Sequence, residues 1–321
     1  MSLKGRVAVL CGNGLTMDAM TLCPLILDNW HPQHPLSWTL GTPGCPDVPL
    51  LSSLPRLKAA LEAHNLTQLR SDFDRFAALS REAKTKRDAN MPEGRWLEFQ
   101  VRYFIATAYA HLQRELDNIP LSEWRWVKWI REMRGRLACM VSFNYDLLVE
   151  DALEATGVPA NKIQVGQLPL GIGVPVIKPH GSVDFDISRD VMRIPFGFPI
   201  HNVAIVGNDA PVEPIPRGRL LEWRQAADIV LPAEYSPFSK VQWVRPAMDR
   251  VREILSEVQH LVVAGLSYWP EDRAEVDSLI DALLPSAEVV IVNPKPPTDL
   301  LKRLDGVGRR FRTWEDGPPP L

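Results

Sequence analysis

The stretch Val141-Ser142-Phe143-Asn144-Tyr145-Asp146 closes an apolar run, Leu137 to Phe143, and opens a helical one, Leu147 to Ala155. An apolar strand that ends in small polar residues just before a helix places those side chains at the carboxyl edge of a parallel sheet, where open α/β folds bind ligands. Asn144 and Asp146 are therefore expected to face a crevice. Asn and Asp also cap helices, and an isolated Asn-Tyr-Asp is compatible with either reading.

The rest of the chain sets the bounds. Its 321 residues, 45% hydrophobic, suffice for one large domain or two ordinary ones with a substantial core. With 36 basic and 39 acidic residues, a net charge of -3 supplies no overall field for nucleic acid or an anionic membrane. Cys11, Cys23, Cys45 and Cys139 form no C-x-x-C pair, so free thiols are expected rather than a zinc knuckle or a disulfide framework. The apolar run Val7 to Cys11 meets Gly12-Asn13-Gly14 too early for a signal peptide, and no run elsewhere could span a bilayer. A soluble, cytoplasmic protein is the expectation.

In chain order, Arg6 to Cys11 reads as a buried strand, and Gly12-Asn13-Gly14-Leu15-Thr16 as the turn into a helix beginning near Met17. Glycines there allow close backbone approach, and amides at a helix start suit a phosphate; an ordinary tight turn is the alternative. Trp30 to Pro55 is rich in Pro and Gly and reads as a long loop of the kind that acts as a lid. His31 and His34 in it lack a carboxylate or thiol partner at metal-binding spacing. Residues 54–134 read as helices, with Leu69, Phe73, Phe76 and Leu79, then Trp96, Phe99, Tyr103, Ala106 and Ala110, at helical spacing. Ser122 to Arg134 interleaves Trp124, Trp126 and Trp129 with basic residues, as in helices lying on membranes or partners, or in amphipathic helices with snorkelling basic stems.

Gly173 to Lys178 forms another strand, ending in Pro179-His180-Gly181-Ser182. A histidine in such a turn suits acid or base work near neutrality, or is structural. After the Pro-rich residues Asp184 to Pro246, with one strand-like run at Asp228 to Leu231, regular alternation returns. A helix Val244 to Val258 precedes a strand His260 to Gly265, the turn Gly265-Leu266-Ser267-Tyr268-Trp269-Pro270, and a helix opened by Asp272. A strand Glu288 to Val292 then ends at Asn293-Pro294, a helix spans Thr298 to Leu304, a last strand lies near Phe311, and the tail Gly317 to Pro320 is expected to be disordered. The expected architecture is α/β: a Rossmann-like three-layer parallel sheet forming a single domain from 1–45, 135–185 and 225–314, with a helical insertion at 54–134 and an irregular Pro-rich one at 186–224.

Successive strand ends thus carry Gly12-Asn13-Gly14, Asn144-Tyr145-Asp146, His180-Gly181, Gly265-Leu266-Ser267 and Asn293, which one crevice at the sheet edge would collect. In this order the chain resembles the sirtuin-like superfamily, and more closely its zinc-free branch in bacterial NAD-depleting, anti-phage defence proteins. The matching elements are Gly12-Asn13-Gly14-Leu15, Ser142-Phe143-Asn144-Tyr145-Asp146, Lys178-Pro179-His180-Gly181-Ser182, Gly265-Leu266-Ser267 with Asp272, and Val292-Asn293. They span nearly the whole chain, without the helical insert. Asn13 and Leu15-Thr16 depart from the family's Ala or Ser, and the zinc-binding cysteines of the deacetylases are absent.

The resemblance implies an NAD hydrolase that releases nicotinamide and ADP-ribose without a metal. It makes Asn144 and His180 catalytic, Asn144 orienting ribose hydroxyls or the attacking water and His180 acting as general base. It places Gly12, Asn13, Gly14, Leu15, Asp146, Gly265, Ser267 and Asn293 against the dinucleotide, with Asp146 as loop support. NAD and ADP-ribose are the expected partners, with room for a homo-oligomer or an activating partner. A non-catalytic NAD or ADP-ribose sensor, an NAD-dependent protein deacylase and a scaffold are the competing classes.

Overall fold

A computed structural model describes residues 3–63, 71–163, 172–187, 212–222, 227–231 and 244–320. Seven parallel strands form the central sheet: β1 (Val7–Cys11), β4 (Leu137–Ser142), β5 (Ala160–Lys162), β6 (Val174–Ile177), β10 (His260–Ala264), β11 (Glu288–Val292) and β12 (Phe311–Trp314). The remaining strands are β2 (Gly41–Thr42) and β3 (Cys45–Pro49), which form a hairpin, and β7 (Gly181–Ile187), β8 (Val212–Pro214) and β9 (Ala227–Ile229), which form an antiparallel sheet. The order in the large sheet is β12-β11-β10-β1-β4-β6-β5, so the chain leaves β1 on one side and returns on the other. That reversal puts a topological switch point between β1 and β10, at whose carboxyl end α/β sheets open a crevice.

Sheet pleat decides the layers. On β1, Ala8 and Leu10 face one side while Val7, Val9 and Cys11 face the other, all fully buried. The first side is covered by α8 (Val244–Leu255), α9 (Arg273–Asp281) and α10 (Thr298–Gly306). The second is covered by α1 (Asn13–Met20), α6 (Arg125–Met133) and α7 (Leu148–Glu154). This three-layer α/β arrangement is the expected Rossmann-like class. Each fully buried aliphatic or aromatic side chain contributes roughly 1.5–3 kcal/mol.

A separate cluster forms around α3 (Pro55–Ala63), α4 (Asp72–Asp88) and α5 (Pro92–Leu116), where Phe76, Phe104 and Tyr109 are buried together. It extends to Tyr145 and Leu147, so these helices pack beside the carboxyl edge of the sheet. The Trp-rich segment does not join it. Trp126 and Trp129 of α6 are buried against the sheet, and the Nε1 of Trp124 donates to Asp18 Oδ2 at 2.7 Å.

Four expectations are corrected. Helix α1 begins at Asn13 rather than near Met17, because the Gly14 N–H is held by Gly265 O at 2.9 Å and fixes the turn in helical geometry. The segment 30–55 is not one loop: it holds the β2–β3 hairpin and 3-10 turns at Pro35–Ser37 and Leu50–Ser53, and it follows α2 (Pro24–Asn29). Pro24 and Pro35 sit at the first helical position, where a missing N–H costs nothing. Residues 181–187, given no strand from sequence, form β7. The tail is packed rather than disordered: Trp129 Nε1 donates to Pro319 O at 2.9 Å, and Gly317 is buried beside Arg125. Most of the expected Pro-rich insertion at 186–224 lies outside the described residues.

The turns after β1 and β10 touch through backbone. A Cβ on Gly12 would come within 2.8 Å of Gly265 O, and one on Gly265 within 2.6 Å of Gly14 Cα. Gly265 also has φ +62°, whereas Gly157, at φ +75°, has open space around it. Gly265→Ala is expected to cost more than the about 1–2 kcal/mol of a left-handed alanine alone, and Gly157→Ala only that amount. Urea unfolding of the two variants checks this; equal losses would show that the turns can separate freely.

Candidate functional site

Along the carboxyl edge of the sheet, strand order puts Asn293 after β11, Gly265 after β10, Gly12 after β1, Asn144 after β4 and His180 after β6. These five endings, scattered over the sequence, stand in one row. Neighbouring strands lie about 4.8 Å apart, so four spacings make the row about 19 Å long.

Two cavities open along it, on either side of the ridge where the glycine turns touch. The first, about 60 Å³, is lined by Gly12, Asn13, Asn144, His180 and Ser267, with Phe143, Tyr145, Phe73 of α4 and Trp269 as aromatic wall. Gln33, from the segment read as a lid, closes one side, and Glu271 and Asp272 another. The second, about 610 Å³, is lined by Gly14, Leu15, Gly265 and Asn293, and by Asp18, Trp126 and the tail residues Glu315 to Gly317. Asn293 is fixed there by Nδ2 donating to Leu266 O at 3.3 Å and Oδ1 accepting from Lys295 N at 2.9 Å.

Asn144 is 3% exposed, and both protons of its amide are committed. Its Nδ2 donates to Gly12 O at 3.0 Å and to Thr16 Oγ1 at 2.9 Å, while the Thr16 hydroxyl donates to Asp146 Oδ2 at 2.8 Å. This relay assigns the amide's orientation: Nδ2 faces protein, and Oδ1 is the acceptor left at the cavity. The two readings of Asn-Tyr-Asp therefore divide between the residues. Asp146 serves the local backbone, its Oδ1 accepting from Leu148 N at 3.1 Å, and Asn144 lines the cavity.

Asp146 is 1% exposed and lines neither cavity, contrary to the expectation that it faces a ligand. Burial pushes its pKa up, and nearby Lys178, the Thr16 hydroxyl and the Leu148 N–H offset part of that rise. Lys178, fully buried, donates to the carbonyls of Tyr145 and Asp146 and pairs with Glu150 at 3.5 Å. Two residues before His180, it ties the β6 end to the β4 end.

His180 stands across the first cavity, 17% exposed, with its ring edge-on to Phe143 at a centroid distance of 4.9 Å. Its Nε2 lies 3.0 Å from Glu275 Oε2 and 3.7 Å from Asp272 Oδ1. Burial pulls the imidazole's pKa down, but the Glu275 carboxylate, by charge and hydrogen bond, and Asp272 outweigh it and lift the value to about 9. Asp272 is itself raised to about 6 by burial, with His180 opposing and Glu275 and Glu271 adding to the rise. A value of about 9 makes the ring an imidazolium, protonated on both nitrogens, at neutral pH.

The glycine turn differs from the expected phosphate cradle. Gly12 N donates to Ala264 O, Gly14 N to Gly265 O and Leu15 N to Gly12 O, leaving Asn13 as the amide of the turn without a backbone partner among the described residues. Here close approach serves two protein backbones. Sequence reasoning also missed Thr16 and Glu275. Thr16 lay in the quoted turn, but its role depends on residues 128 and 130 positions away; Glu275 looks like any acid in a first helical turn. Among the described residues, no group of three or more His, Cys, Asp or Glu side chains is arranged to hold a metal ion, and no helix is long and apolar enough to cross a membrane.

No protein-family model matches the chain, and no curated protein matches its sequence. Solved structures do. A Sir2 homologue in complex with NAD is 15% identical, the match covering 65% of this chain and 65% of that one, with a TM-score of 0.35. A serine-to-alanine variant of a Sir2 homologue in complex with ADP-ribose is 12% identical over 96% of this chain and 87% of that one, with a TM-score of 0.39.

The relay predicts its own test. Thr16→Val removes the donor to Asp146 and the acceptor for Asn144, and should destabilise the protein by about 1–3 kcal/mol in urea unfolding, whereas Thr16→Ser keeps both bonds and stays near wild type. Equal stability of the two variants would contradict the relay.

Proposed function

We propose that the protein hydrolyses NAD at the nicotinamide–ribose bond, giving nicotinamide and ADP-ribose. The observation that carries this is the locked amide of Asn144, whose remaining acceptor lies at the same cavity as His180. The nicotinamide ribose would occupy that cavity, with Asn144 Oδ1 accepting from a ribose hydroxyl or from the attacking water. The adenosine half would occupy the larger cavity beside Asn293, and the pyrophosphate would cross the glycine ridge near Asn13 and Ser267. The motif resemblance described above supports the same assignment and is the reason to place the activity in anti-phage defence.

In the reaction, the bond between ribose C1′ and the nicotinamide nitrogen breaks and its electron pair leaves with neutral nicotinamide, so no acid is needed at the leaving group. The ribose develops oxocarbenium character, as in glycoside cleavage. A water oxygen bonds to C1′, and its proton passes to the unprotonated imidazole of His180 and then to solvent. General base work of this kind contributes about 10²- to 10⁴-fold.

A second reading, a sensor that binds NAD or ADP-ribose without cleaving it, is favoured by one observation. The cavity beside His180 is about 60 Å³, much smaller than the one beside Asn293. Hydrolysis requires the aromatic wall of Phe73 and Trp269, or Gln33, to yield; binding the adenosine half does not.

Incubation with NAD and chromatography of the products separates the readings. Nicotinamide and ADP-ribose are expected, with turnover lowered about 10²-fold or more in Asn144→Ala and His180→Ala. Because His180 must lose its proton before it can accept one, turnover should climb with pH towards a midpoint of about 9. Tight binding of ADP-ribose with no product at any pH favours the sensor, and equal turnover by both variants removes these residues from the mechanism.

A further inference from the structure

Glu275 is the third residue of α9, whose N-cap is Asp272. An acid at that position ordinarily reaches back to the N-cap amide as half of a capping box. Here the Asp272 side chain makes no cap hydrogen bond, and Oε2 of Glu275 lies 3.0 Å from His180 Nε2. Burying this carboxylate, 3% exposed, is costly unless it is paired. The His180 imidazole supplies that partner.

We propose that Glu275 is the positioning residue for His180: its carboxylate accepts the Nε2–H, fixes the ring and its tautomer, and leaves Nδ1 as the nitrogen that exchanges a proton at the cavity. This deepens the hydrolase reading and rests on it for its catalytic meaning. Nδ1 has no hydrogen-bond partner among the described residues, and the Phe143 ring meets the imidazole edge-on, with 4.9 Å between centroids and 87° between planes. In this arrangement a carboxylate selects one tautomer and stabilises the imidazolium that forms when the base takes its proton.

The charged groups facing His180 come from the β10–α9 turn and from α9: Asp272 and Glu275 directly, and Glu271 across the same cavity. From α4, Arg81 reaches Glu271 at 3.7 Å, and the residue just after β4, Phe143, is uncharged. The local field is therefore acidic, and Glu275 makes the shortest contact in it. The same carboxylate that orients the ring holds it protonated at neutral pH, so the base works on the alkaline side.

The test follows the His180 ring by nitrogen-15 NMR in the full chain, assigned by its loss in His180→Ala, alongside the pH dependence of NAD turnover. In wild type the expected result is a proton retained on Nε2, titration at Nδ1, and a midpoint near 9, well above 6.5. Glu275→Gln should lower that midpoint by more than one pH unit and move the alkaline limb of turnover down with it, while Glu275→Asp restores part of the shift. A wild-type midpoint near 6.5, or no change in Glu275→Gln, overturns the proposal, and the wild-type titration decides even if the variant does not fold. If the ring titrates as expected while NAD yields no product at any pH, the hydrolase reading fails and the positioning of His180 by Glu275 stands.

Discussion

The backbone contact between the turns after β1 and β10 is the constraint on which the rest of the structure depends. Gly14 N–H donates to Gly265 O, and neither turn has room for a Cβ at the contact. It sits at the switch point of the sheet, where the chain reverses direction, and sets the start of α1 at Asn13. From there Thr16 is placed under Asn144, and Gly12 O is offered to the same amide. The Asn144 acceptor is thus held by the geometry of a turn far away in sequence. These bonds hold Oδ1 rather than Nδ2 at the cavity.

Charge around the site is arranged in two groups. Behind the row, the buried Lys178 shares Glu150 with Lys162 and holds the carbonyls of Tyr145 and Asp146, so the β4 end is tied down by charged groups that line neither cavity. In front, Glu275, Asp272 and Glu271 surround the one histidine that lines either cavity. The first group fixes position, and the second fixes protonation.

The Leu137 to Phe143 run, the glycine turns and the late alternation gave the parallel sheet, because a strand buried on both faces is almost all apolar and its end is marked by a change to polar residues. The positions of Asn144, His180, Ser267 and Asn293 beyond strand ends were legible for the same reason. What was not legible came from long-range pairing. The use of the Gly12 and Gly14 amides depends on Gly265, and the choice of Glu275 over Asp272 as the nearest partner of His180 depends on the rotation of α9 about its axis. Pro and Gly in 30–55 suggested a loop where Pro35 begins a short helical turn and residues 41–49 form a hairpin. The Pro-rich tail gave no sign that Trp129 would hold it.

The central claim is that one dinucleotide lies along the row of strand ends, across the glycine ridge, with its labile bond between Asn144 and His180. A crystal structure of the His180→Ala variant grown with NAD tests this most directly. The account predicts continuous density over Gly12 and Gly265, with adenosine beside Asn293 and the nicotinamide ribose within hydrogen-bond reach of Asn144 Oδ1. Density confined to one side of the ridge, with the Asn144 amide untouched, would contradict it.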